Sequence, residues 1–80
     1  MNINTYVLDL VGEVCPSPLL RTQDIFTQLR AETQLVVETD FARAVRNISH
    51  WCGREGFHCR IEDLPRGTWR IIIQRSPFAD

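Results

Sequence analysis

The three cysteines are the residues best suited to chemistry, and their settings differ. Cys15 stands in the run Gly12-Glu13-Val14-Cys15-Pro16-Ser17-Pro18, with two prolines stiffening the backbone just after it. Thiol chemistry runs through the thiolate, and a thiol with an ordinary pKa of about 8.5 is mostly protonated at neutral pH. A helix N-terminus offers unpaired N–H donors and about half a positive charge, which stabilise an anionic sulfur. Pro16 suits a first helical position, where its missing N–H costs nothing. Cys15 therefore reads as a rigid, partly exposed nucleophile at a helix start. Gly12, Pro16, Ser17 and Pro18 shape the turn, and Ser17 offers at most a local hydrogen bond to the sulfur.

Cys52 falls on the apolar side of a second helical pattern and Cys59 on the apolar side of an alternating strand pattern. Both read as core, the common fate of a free cysteine. They could approach one another, but a disulfide is not expected in a reducing compartment. Six residues separate them, so they match neither a Cys-x-x-Cys redox pair nor a structural zinc ligand pair. A Cys–His pair of protease type is also a poor fit, because His50 lies on the outer helix face and so short a chain has no deep cleft. No metal and no organic cofactor is expected.

All nine basic residues are arginine, so Schiff-base chemistry on lysine is excluded. Any side-chain cation near the thiolate must be arginine or histidine. Arg21 is the nearest in sequence. Arg43, Arg46, His50 and Arg54 follow at steps of 3, 4 and 4, which places them on one exposed helix face. Such a face could dock an acidic partner or draw oxyanions to the site.

These residues need elements to hold them. Thr5 to Leu10 suits a short strand. Leu19, Thr22, Phe26 and Leu29 share one face of a helix running from Pro16 to about Arg30. Gln34 to Thr39 is a second strand, and Asp40 suits the N-cap of a second helix. Its inner face holds Ala44, Val45, Ile48, Trp51 and Cys52, and Gly53 and Gly56 mark its end. Phe57 to Glu62 alternates as a third strand, Leu64 to Gly67 turns, and Trp69, Ile71 and Ile73 alternate along a fourth that Pro77 ends.

The order is βαβαββ. It predicts an α+β, two-layer α/β sandwich with two helices on one face of a four-stranded mixed sheet. The other sheet face is left uncovered, and Arg60, Arg70 and Gln74 suit it. Eighty residues make a single domain, 1–80. A formal charge of −1 argues against a nucleic-acid partner. No apolar run approaches the ~20 residues that cross a bilayer, so the protein is not expected to insert in a membrane. Free cysteines without an export signal suit the reducing cytoplasm.

Leu8-Asp9-Leu10 followed by Gly12-x-x-Cys15-Pro16-x-Pro18 resembles the TusA-like sulfur-carrier proteins, also called SirA-like. The likeness continues through Asp40, the stretch around Ile48 and Trp51, and Trp69 to Gln74, covering nearly the whole chain. It implies a sulfurtransferase-type carrier that holds sulfur as a persulfide on Cys15 and passes it between donor and acceptor proteins. Trp51, Glu55-Gly56 and Trp69-x-Ile71-x-Ile73-Gln74 further resemble the YeeD branch, which works with a membrane thiosulfate transporter. Ser49 departs from the pattern, since many relatives have a proline there. Some relatives have a cysteine matching Cys52, which leaves open a role as second sulfur acceptor. Two other classes stay open. One is a docking module in which the arginine face matters and Cys15 does not. The other is a thiol-redox protein, which calls for a resolving cysteine near the reactive one.

Overall fold

The segments rich in β-branched residues pair into one sheet, and the two amphipathic segments cover it as helices. The computed structural model describes residues 4–14 and 17–76. Its elements are β1 (Asn4–Asp9), α1 (Ser17–Gln28), β2 (Thr33–Thr39), α2 (Ala42–Glu55), β3 (His58–Leu64) and β4 (Thr68–Gln74), with a single 3-10 turn at Pro65–Gly67. The strand order is β1-β2-β4-β3. β1 and β2 are parallel, and β4 runs antiparallel to both of its neighbours. This is the expected mixed sheet.

One core lies between the layers. Leu8, Leu35, Val37, Ile71 and Ile73 face Phe26 of α1 and Ile48, Trp51 and Cys52 of α2. Leu19, Ile25, Leu29, Val45, Phe57 and Cys59 pack around this centre. Phe26 meets Trp51 edge-on at 6.0 Å and Phe57 at 4.8 Å, and Trp51 and Phe57 close the triangle at 5.3 Å. Such T-shaped contacts set the positive edge of one ring against the negative face of the next.

The uncovered face is organised by register into rows across the strands. Val7, Val36, Ile72 and Arg60 form one row, and Asp9, Glu38, Arg70 and Glu62 another. Arg70 binds Glu38 and Glu62 at 3.3 Å each. A third row joins Thr5 to Gln34 and Gln34 to Gln74 through side-chain hydrogen bonds. Arg60, Arg70 and Gln74 thus occupy the face expected of them.

Three local details differ from expectation. Asp40 does not cap α2: Phe41 is the N-cap residue and has no side-chain cap. Thr39 Oγ1 instead accepts the Phe41 N–H at 3.1 Å, and the Asp40 carboxylate is engaged elsewhere. Gly53 lies inside α2. The helix ends only at Gly56, whose φ of 79° is left-handed and whose N–H donates to Cys52 O.

α1 also ends earlier than Arg30, at Gln28, and its end is held by a residue far along the chain. Arg75 donates to Phe26 O at 2.6 Å and to Arg30 O at 3.1 Å. Its guanidinium lies 4.2 Å from the Phe26 ring centroid. It satisfies helix-end carbonyls, stacks on an aromatic ring and brings positive charge to the negative end of the helix dipole. Arg75→Met should therefore lower stability by about 1–2 kcal/mol in urea denaturation. A change within error would show that water replaces the guanidinium at no cost.

Candidate functional site

The chain leaves the sheet after Asp9 and re-enters regular structure at Ser17. Leu10, fully buried, anchors the departure, and its N–H donates to Glu38 O at 2.8 Å. Asp9 Oδ1 then accepts the Val11 N–H at 3.0 Å, and Asp40 Oδ1 accepts the Gly12 N–H at 2.9 Å. Gly12 has a φ of +91°, a region that residues with a Cβ rarely adopt, so glycine is needed here. Glu13 N–H returns to Leu10 O at 3.0 Å, closing a tight turn.

Glu13 organises the far side. One of its oxygens accepts the Ser17 hydroxyl at 3.0 Å, and the other is ion-paired with Arg21. The Ser17 N–H meets Val14 O at 3.2 Å. The expected nucleophile Cys15, and Pro16, lie outside the described residues. The residues on either side of them are fixed by carboxylates from three parts of the chain, Asp9, Glu13 and Asp40.

Among the expected site residues, Gly12, Ser17 and Arg21 gather around this turn, and buried Pro18 roots the start of α1. Glu13 engages both Ser17 and Arg21: the Ser17 hydroxyl donates to one of its oxygens, and one nitrogen of the half-exposed Arg21 guanidinium pairs with the other. Arg43, Arg46, His50 and Arg54 line the exposed face of α2, and among the described residues none of them is in an ion pair. Val11 and Val14 in the turn and Leu20 in the first turns of α1 are exposed by 49%, 62% and 56%.

Sequence reasoning passed over Glu13 and gave Asp40 a different task. A signal for Glu13 was present: Glu13, Ser17 and Arg21 follow at steps of 4, the spacing of side chains that meet along a helix. It was hidden because Glu13 precedes the helix.

Cys52 is fully buried and Cys59 partly buried, as core residues should be. The two side chains are hydrogen-bonded to each other. That bond and burial push the Cys52 thiol well above the usual thiol range, and the bond it receives lowers Cys59. The direction follows from position, since the more deeply buried sulfur is the worse place for a charge. Among the described residues no three His, Cys, Asp or Glu side chains come together as a metal site. No described helix is long and apolar enough to cross a membrane.

The architecture is that of a SirA-like protein from Desulfitobacterium hafniense, whose crystal structure aligns with a TM-score of 0.78 at 22% identity over 84% of this chain and 92% of that one. The family model of sulfurtransferase TusA matches residues 6–75, and the chain belongs to this family of sulfur carriers. Similar relatives include three candidate sulfur carrier proteins. MJ0990 of Methanocaldococcus jannaschii is 28% identical over 85% of this chain and 91% of its own. TsuB of Escherichia coli is 29% identical over 86% and 93%, and YedF of Escherichia coli 31% identical over 88% and 91%.

Proposed function

We propose that Cys15 carries sulfur as a persulfide and delivers the outer sulfur to the thiol of an acceptor protein. The observation that supports this most is the turn: Gly12 to Pro18 carries the Gly-x-x-Cys-Pro-x-Pro run, the Asp40 and Glu13 carboxylates hold Gly12 and Ser17 beside the start of α1, and Asp9 holds Val11 just before it. In loading, the Cys15 thiolate attacks the sulfane sulfur of a donor. A donor persulfide leaves as its thiolate, or thiosulfate leaves as sulfite, and Cys15–S–SH remains. In delivery, the acceptor's thiolate attacks the outer sulfur and the Cys15 thiolate departs. Each departing sulfur is an anion, which the N-terminal end of a helix favours. The carried group needs no cofactor.

The partners are a sulfur donor and an acceptor protein, with a membrane thiosulfate transporter as one source of thiosulfate, and the reducing cytoplasm is the compartment that suits a free thiol. The exposed Val11, Val14 and Leu20 suit a protein face pressed around the reacting sulfur. The arginine face of α2 suits an acidic partner. Replacing Arg43, Arg46 and Arg54 together by glutamine should slow transfer to a protein acceptor at low salt, and added salt should erase the difference. An unchanged rate at low salt would return this row to plain solvated surface.

The deciding experiment is intact-mass analysis of reduced protein after thiosulfate, a small-molecule persulfide and a cysteine desulfurase with cysteine. One sulfur atom should be gained on Cys15 alone, be lost to dithiothreitol, and never appear on Cys15→Ser. Should all three donors leave Cys15 unmodified while a partner protein still binds, carriage fails and the protein is a docking module working through α2.

A further inference from the structure

We propose that Cys52 and Cys59 form a second thiol centre, a redox pair that reduces small disulfides while closing a disulfide between α2 and β3. The six residues between them match no Cys-x-x-Cys redox motif. The fold removes that distance. At Gly56 the backbone turns left-handed, and the N–H groups of Gly56 and Phe57 both return to Cys52 O. β3 starts at once, and Cys59 is its first residue directed into the core, paired with Ile73. Cys52 and Ile73 are fully buried in the same cluster, and Cys59 packs against it. The two sulfurs share a hydrogen bond.

The pair is asymmetric in the way a dithiol reaction needs. Cys59 is partly exposed, so a small molecule can reach it, and the bond from Cys52 favours its thiolate. Cys52 is sealed from solvent and keeps its proton, ready to act second. The centre is also separate from the turn at the end of β1. Cys59 lies in the row of Tyr6, Leu35 and Ile73, three residues or about 10 Å along the strands from the Asp9–Glu38 row that precedes the turn.

In the first step the Cys59 thiolate attacks one sulfur of a disulfide RSSR, forming Cys59–S–S–R and releasing RS⁻. In the second, Cys52 gives up its proton and attacks the Cys59 sulfur. The Cys52–Cys59 bond forms and the second RS⁻ leaves and takes that proton. The protein loses two electrons and the disulfide gains them, so no further reactant is needed in one turnover.

The test uses the whole reduced chain and glutathione disulfide. The protein should lose the mass of two hydrogens, two glutathiones should be released per chain, and peptide mapping should link Cys52 to Cys59. Dithiothreitol should restore the starting mass, and the oxidised form should melt at a higher temperature because a short loop has been closed. Cys52→Ser should stop at a glutathionyl adduct on Cys59, and Cys59→Ser should yield neither product at these positions. Wild-type protein carries the decisive readout, so the test survives a variant that does not fold. An unreacted pair, a stable adduct on Cys59 with Cys52 intact, or a bond made to Cys15 would overturn the proposal. Sulfur gain on Cys15 is read as a separate mass change, so either reading can fail alone.

Discussion

Phe26→Ala is expected to remove a large part of the protein's folding stability. Phe26 is fully buried and packs against Trp51, Phe57 and the Arg75 guanidinium. Truncating a phenylalanine in such a site costs about 3–5 kcal/mol, because lost transfer energy and an unfilled cavity add. A chain of this length has only ~4–12 kcal/mol of stability in all. The cavity would open where α1, α2 and the Phe57 turn meet, so no single element could move to fill it. Phe26→Leu, which keeps most of the volume, should cost distinctly less. The check is the urea midpoint of both variants; a loss below about 2 kcal/mol for the alanine form would mean that the aromatic cluster can collapse around the gap.

The second large effect concerns thiol reactivity. Alkylation of the folded protein should be fastest at Cys15, slower at Cys59 and slowest at Cys52. Cys52 is 0% exposed and is held in its protonated form by burial and by its bond to Cys59. Its reaction must wait for local opening of α2, which should slow it by at least ~100-fold against an exposed thiol. The pH profiles should separate in the same sense. A pKa lowered by a helix start or a donated hydrogen bond brings the half-maximal rate below the ordinary thiol value of about 8.5, as expected for Cys15 and Cys59; a raised one moves it above, as for Cys52. Residue-resolved mass spectrometry of a timed iodoacetamide reaction reads all three at once. Equal labelling of the three would remove the case for an activated Cys15, and rapid labelling of Cys52 would remove it from the core.

The element order and the inner faces were legible because periodicity is local. Phe26 and Thr22 on one helix, Ile48 and Trp51 on the other, and Ile71 and Ile73 on β4 repeat at the spacing of their own element. The strand order was not legible: β4 lies between β2 and β3 through pairings that span the chain, and no short pattern encodes them. Asp40 illustrates a second limit. Its type and place suit an N-cap, but the carboxylate binds Gly12, 28 residues earlier, a partner that only the parallel pairing brings near. Arg75 reached Phe26 O across 49 residues in the same manner. That Cys52 and Cys59 could approach one another was legible from their apolar faces, but not the left-handed residue between them that turns the chain back, because no spacing rule counts its effect on direction.

The rows on the uncovered sheet face also guard against slippage. Moving β4 by one residue along β2 would turn Ile71 and Ile73 to water and press Arg70, Ile72 and Gln74 towards Phe26 and Trp51. A buried guanidinium torn from Glu38 and Glu62 makes that alternative prohibitive. A slip of β1 along β2 would be felt at once in the turn. Asp9 lies opposite Glu38, and that alignment sets Gly12 against Asp40. One step would shift them by about 3.3 Å, more than a 2.9 Å hydrogen bond can absorb. The sheet thus works as a ruler for the turn that it carries, and the place of Gly12 is measured out by strand alignment.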